Sequence, residues 1–288
     1  MKEAIERALD HLGDHSPITA VEQVSGGDIN RAYYVQTQAE EYFIKGNEHV
    51  PAHFFRAEAY GLSLIKETNT IHVPKVHYYD EPENGEQAVL VMDWIEGGSQ
   101  SADGERLGHE LARLHQQQAN EFGLGESTFV GTLEQPNEWC SSWLDYYREF
   151  RLKPQLTTAI AKDRMAGSRR SKLETVISRL EEWITHEPKP ALLHGDLWGG
   201  NWMTGPDGPY LIDPSVLYGD PAFELAFTEL FGGFPSSFYK TYEETSPLPP
   251  HYEDIKPLYQ LFYLLVHLNM FGEGYGRSVD QIVTRYVG

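Results

Sequence analysis

The chain has 288 residues, 40% hydrophobic and 12% aromatic, which is too rich in core formers for a disordered segment and long enough for two modest lobes. Its 43 acidic residues against 23 basic ones leave a net charge of −20, a field that repels a polyanionic backbone and argues against nucleic acid as a partner. A single cysteine, Cys140, excludes an internal disulfide and a cysteine-rich zinc site, and the charged amphipathic start lacks an apolar export stretch, so a cytoplasmic protein without a membrane partner is expected.

Three β-rich runs, Ile18 to Val24, Ala32 to Thr37 and Tyr42 to Lys45, are separated by Gly26-Gly27 and by a polar tip, the pattern of an antiparallel meander. Pro51 and the apolar positions Phe54, Phe55, Leu62 and Ile65 predict a helix over 53–67. Ala88 to Met92 reads as an apolar strand and Gly97-Gly98-Ser99 as a hinge, which divides the chain into an N-terminal nucleotide-binding lobe, 1–95, and a catalytic and acceptor-binding lobe, 96–288. Helical periodicity over 107–118, 141–152, 169–185, 221–231 and 255–271 makes the second lobe mainly α. A Gly- and Asp-rich insert from Leu192 to Ile212 interrupts it and ends in a strand at 210–212. The most apolar stretch, Leu258 to Phe271, is shorter than a bilayer span and carries Gln260, His267 and Asn269, so it reads as a buried helix.

The insert holds the chemistry. His194-Gly195-Asp196-Leu197-Trp198-Gly199-Gly200-Asn201, followed by Asp213 after Leu211-Ile212, fits a kinase catalytic loop with a later metal-binding aspartate. In that reading Asp196 accepts a hydrogen bond and then the proton from an attacking hydroxyl. Asn201 and Asp213 give oxygen ligands to Mg²⁺ on the ATP phosphates, and His194 braces the loop. Taken alone, the loop also fits a polar turn whose aspartates cap helices. The first lobe offers complementary groups in matching order. Lys45 closes a strand where an ammonium would grip phosphates, and Glu58 lies in the predicted helix, where it would pair with Lys45. Gly26 and Gly27 would let backbone N–H groups approach phosphates, and Met92 before the hinge completes the nucleotide-binding set. The hairpin departs from Gly-x-Gly-x-x-Gly, and Asp28 puts a carboxylate where phosphates are expected.

Together with Ser25 to Asn30, Phe43-Ile44-Lys45, Thr228 to Phe234, His267 to Gly272 and Gly274-Tyr275, the loop resembles the fructosamine kinase or ketosamine-3-kinase family, related to aminoglycoside phosphotransferases and choline kinases. The resemblance runs from about residue 20 to 276. It implies an α+β, bilobal protein-kinase-like fold with a small antiparallel-sheet N-lobe plus one helix and a mainly helical C-lobe. It also implies ATP and Mg²⁺ as cofactors and phosphorylation of the 3-hydroxyl of a ketoamine, such as fructoselysine or ribuloselysine, after which the 3-phosphate eliminates and frees the amine. Trp198 is then the flat wall for the sugar, and His267 and Asn269 lie near the acceptor pocket. Gly195 in place of Arg, and no Ala-Pro-Glu after Asp213, argue against a protein kinase. A small-molecule kinase of the aminoglycoside or choline type and a non-catalytic nucleotide-binding regulator remain alternatives, and the oligomeric state is left open. Among the remaining candidates, Pro51 separates His49 from His53, His109 and His115 read as core-edge hydrogen bonders, Glu229 as a carboxylate that could brace the loop, and Cys140 as a packing residue.

Overall fold

The computed structural model describes residues 1–24, 29–83, 85–97 and 103–288. Gly26 and Gly27, with Ser25 and Asp28 beside them, and Gly98-Ser99 of the expected hinge lie outside the described residues. The chain divides into two units, Met1–Asp103 with Asn201–Pro214, and Gly104–Gly200 with Ser215–Gly288.

The first unit begins with helix α1 (Lys2–Leu12), which ends where Gly13 adopts the left-handed conformation at φ 78°. Strands β1 (Ile18–Val24), β2 (Arg31–Thr37) and β3 (Glu41–Glu48) form the expected meander. Helix α2 (Phe54–Glu67) and strands β4 (Val76–Tyr79) and β5 (Gln87–Asp93) complete an antiparallel sheet in the order β1-β2-β3-β5-β4. Side chains alternate across a strand, and this decides which face each residue serves. Val35, Tyr42, Ile44, Val89 and Val91 turn to one face and bury Ala4, Ile5, Ala8 and Leu9 of α1. Lys45, with Phe43, Leu90 and Met92 by the same alternation, belongs to the opposite face, where α2 supplies Glu58.

The second unit starts at α3 (Gly104–Leu114), whose Gly108 allows close approach to the backbone at Phe238, since an added Cβ would overlap that carbonyl. The hairpin β6 (Thr128–Val130) and β7 (Leu133–Gln135) leads to α4 (Trp143–Tyr146). The helix expected over 141–152 is α4 continued by a π-helical turn, Tyr147–Leu152, before α5 (Lys153–Ala161). The one expected over 169–185 stops as α6 (Arg169–Ser178) and a 3-10 turn at Leu180–Glu182.

The insert is more ordered than its composition suggests. Strand β8 (Ala191–Leu193) precedes the loop, and β9 (Trp202–Gly205) and β10 (Gly208–Leu211) form a hairpin. That hairpin belongs to the first unit, a departure from the 95/96 division, because Leu211 N–H donates to the His72 carbonyl at 2.9 Å and the His72 and Tyr210 rings stack at 5.1 Å. Strand β11 (Leu217–Gly219) returns to pair with β8 in the second unit. Helices α7 (Pro221–Thr228), α8 (Ser236–Thr245), α9 (Tyr252–Phe271) and α10 (Gly276–Val287) complete the chain. Its core is aromatic, with Phe227 of α7 stacked on Tyr263 of α9 at 3.6 Å. Among the described residues no helix is long and apolar enough to cross a membrane.

Candidate active site

Lys45 is the focus of the first unit's polar residues. Its side chain is 2% exposed, its ammonium donates to Glu58 at 2.6 Å, and it forms a second ion pair with Asp213. The strand places Lys45 on the α2 face, and the β9–β10 hairpin delivers Asp213 to the same ammonium. Burial pulls the Lys45 ammonium toward its neutral form, but the two carboxylates outweigh it and raise its pKa, so it stays charged. Burial lifts the Glu58 carboxyl to about 7, opposed by Lys45 and aided by Asp213. Asp213 has φ 56°, a left-handed conformation that aspartate tolerates better than most residues. Ile212 N–H donates to the Asn201 carbonyl at 3.0 Å, so the two expected metal ligands sit at the same open end of one hairpin. Asn201 is buried at 6% exposure, and Met92 is buried in β5 opposite Phe43.

In the second unit the loop carrying Asp196 is held from behind. Glu224 of α7 is fully buried and accepts from the backbone N–H of His194 at 3.1 Å and of Gly195 at 2.6 Å. His115, at the end of α3, donates to Glu224 at 2.8 Å through Nε2 and meets the Tyr242 hydroxyl at 2.7 Å through Nδ1. Burial works against the Glu224 charge, but the hydrogen bond and charge of His115, with the Gly195 N–H, hold its pKa below the usual value. Tyr263 donates to the Gly195 carbonyl at 3.0 Å, and Gly195 has φ 83° with no room for a Cβ beside the Ser215 carbonyl. His194 is buried, and its Nδ1 faces the Asp196 N–H at 3.3 Å, a brace within its own loop.

The sequence reading offered Glu229 as the carboxylate behind the loop. The structure gives that place to Glu224, while Glu229 accepts from Tyr252 at 2.5 Å and Lys256 at 2.7 Å, tying the end of α7 to α9. No sequence pattern marks Glu224, Tyr242 or Tyr263, while His115, expected as a core-edge hydrogen bonder, is buried and engaged at both ring nitrogens.

Trp198 is 41% exposed, its indole folded over Gly200. Next to it, Gly199 lies so close to Gly232 and Gly233 that an added Cβ would come within 2.7 Å of the Gly232 carbonyl. The turn after α7 therefore runs beside the loop and carries Phe231, whose ring is 4.7 Å from that of His267. Asn269 departs from the expected pocket role. It is fully buried, and its amide donates to the Gln155 carbonyl and side chain at 2.9 Å each, bracing α9 against α5. Cys140 is half-buried and faces the Ser142 carbonyl.

The fructosamine kinase family model matches residues 1–288. The chain belongs to the fructosamine kinase family. It is 39% identical over 267 residues to a probable ketoamine kinase of Enterococcus faecium, covering 91% of this chain and 94% of that protein. A probable ketoamine kinase of Lactiplantibacillus plantarum is 38% identical over 279 residues, covering 94% and 96%. The crystal structure of a candidate fructosamine-3-kinase from Haemophilus somnus 129PT superposes with a TM-score of 0.89 at 28% identity, covering 100% of this chain and 98% of that one. The aminoglycoside phosphotransferase APH(4)-Ia, at 14% identity and a TM-score of 0.62 over 100% of both chains, shares the protein-kinase-like fold. One structure of a thermostable mutant of that protein is a ternary complex with ADP and hygromycin B. Fructosamine kinases are a family of ATP-dependent phosphotransferases, and the five-stranded antiparallel sheet with a helical C-terminal region is the fold expected of this member.

Proposed function

We propose that this fructosamine kinase transfers the γ-phosphoryl group of ATP to the 3-hydroxyl of a ketoamine, a step toward deglycation. The observation that carries the reading is the buried Lys45, joined to Glu58 and to Asp213 across 168 residues of sequence. A polar turn that only caps helices has no use for a desolvated ammonium fixed between two carboxylates. Lys45 grips the nucleotide phosphates and Glu58 aims it, with Gly26, Gly27 and Met92 assigned to the same nucleotide. The Asp213 carboxylate and Asn201 amide are hard oxygen donors at one end of a hairpin, a donor set suited to Mg²⁺. When bound, Mg²⁺ supplies charge neutralisation on the phosphate oxygens.

Asp196 hydrogen-bonds the 3-hydroxyl and takes its proton as the new O–P bond forms and ADP leaves with the electrons of the old one. Glu224, His115 and Tyr263 keep the loop from yielding, and Trp198 lies under the sugar. Incubation with ATP, Mg²⁺ and a panel of fructosyl-lysine, ribulosyl-lysine, an aminoglycoside and choline tests the reading by phosphorus NMR. A ketoamine 3-phosphate is expected. A phosphorylated aminoglycoside or choline would favour the other small-molecule kinases, and ATP binding without transfer would favour a nucleotide-binding regulator.

A further inference from the structure

Two histidines that no step of the proposed reaction uses meet in the second unit. His186 lies in the segment that leads into β8, and His251 is the N-cap residue of α9. Nδ1 of His186 faces Nε2 of His251 at 3.3 Å, and Nε2 of His186 donates to the Asp220 carboxylate at 2.6 Å. Asp220 is itself fixed. It is buried, accepts from the Tyr259 hydroxyl at 2.6 Å, and caps α7 by accepting from the Ala222 N–H at 2.9 Å. With its Nε2 proton committed to that carboxylate, a neutral His186 presents a lone pair on Nδ1 toward His251.

Two features of this arrangement point to a metal ion. Zn²⁺ holds imidazole nitrogens at about 2.0–2.1 Å in tetrahedral geometry, which sets two of them about 3.3 Å apart. The observed 3.3 Å equals that bite and stands at the long end for a hydrogen bond between rings. A carboxylate on the far nitrogen of an imidazole is also the device that orients metal-binding histidines and raises their basicity, and Asp220 occupies that place. Both rings are half-buried, so an ion can reach them from solvent, and a net charge of −20 favours cations around the chain.

We propose that His186 and His251 bind a divalent ion of the Zn²⁺ class, with Asp220 holding His186 from behind. The site uses none of the residues assigned above to nucleotide, magnesium or acceptor. Among the described residues no third His, Cys, Asp or Glu joins the pair as a ligand, so water fills the remaining positions and the ion exchanges with solvent. Binding moves the His251 proton from Nε2 to its own Nδ1 through solvent, which frees the second lone pair. The ion then ties the segment before β8 to the start of α9 and stabilises the second unit.

The test is calorimetric titration of the full chain with Zn²⁺ in excess Mg²⁺, with Co²⁺ as a spectroscopic probe of the same site and the melting temperature recorded with and without Zn²⁺. One equivalent should bind, Co²⁺ should give the visible absorption of a tetrahedral site, and Zn²⁺ should raise the melting temperature. His186→Ala and His251→Ala should each weaken Zn²⁺ binding at least about tenfold and abolish the thermal shift. Asp220→Asn keeps a good N-cap for α7 and removes only the charge behind His186, so it should weaken binding about ten- to hundredfold while the ion-free protein stays folded. Zn²⁺ affinity unchanged in both histidine variants, or a wild-type signal that excess Mg²⁺ removes, overturns the inference.

Discussion

Asp196 can serve as a base only if its carboxylate is held in a fixed relation to the hydroxyl it deprotonates. The residue before it supplies much of that rigidity, since Gly195 offers its N–H to Glu224 and its carbonyl to Tyr263 from a left-handed backbone. Asp196→Asn keeps the shape and removes the proton acceptor, so turnover should fall about 10²- to 10⁴-fold while ATP still binds. A near-normal rate would take Asp196 out of the role. Gly195→Ala imposes a Cβ on a left-handed residue and on the Ser215 carbonyl, and should cost at least about 1–3 kcal/mol of stability in a denaturant titration. The loop residues were legible because they lie close together in sequence and carry their chemistry in their spacing. His267 and Asn269 share one expected pocket, although two residues apart on a helix they point to nearly opposite sides, about 160° from each other. Only His267 reaches the aromatic patch, and Asn269 turns inward to Gln155.

Helix α7 shows why an element can be foreseen while its key side chain is not. Its start is written in the sequence, with Asp220 accepting from the Ala222 N–H as N-cap and Pro221 in the first turn. Yet every residue from Ala222 to Thr228 is buried, so no polar stripe singles out Glu224. Arg151 was hidden for a similar reason. It reads as a surface cation, but the π-helical turn buries it among the Pro136 and Phe150 carbonyls, Asn137 and the Tyr146 ring. The Glu224 contribution to stability depends on pH in a definite direction. Its folded pKa lies below the usual 4.5, so the contribution is present above that value and is lost as pH falls through the folded one. Urea titrations from pH 7 downward should lose stability at the acid end, and Glu224→Gln should flatten that portion of the curve. An acid limb unchanged in the variant would assign the loss to other carboxylates.

On the scale of the whole chain, the net charge of −20 is the property most directly written in composition. Self-repulsion on that scale destabilises the folded state, and raising salt from 0.01 M to 0.1 M shortens the screening length from about 30 Å to about 10 Å. The melting temperature should rise across that range, and a flat or falling trend would show that ion pairs such as Arg169 with Glu273 and Asp280 outweigh the repulsion. The sheet, the helical region and the order of the motifs were legible because each rests on local periodicity. Assignment of Asn201–Pro214 to the first unit was not, since it depends on contacts such as that between His72 and Tyr210, far apart in sequence.

Phosphoryl transfer to a particular hydroxyl is followed most directly as ADP release with two acceptors that differ only there, a fructosyl-amine with a free 3-hydroxyl and its 3-O-methyl counterpart. ADP should form in step with consumption of the first and stay at background with the second. Equal ADP from both, or none from either, would contradict transfer to the 3-hydroxyl.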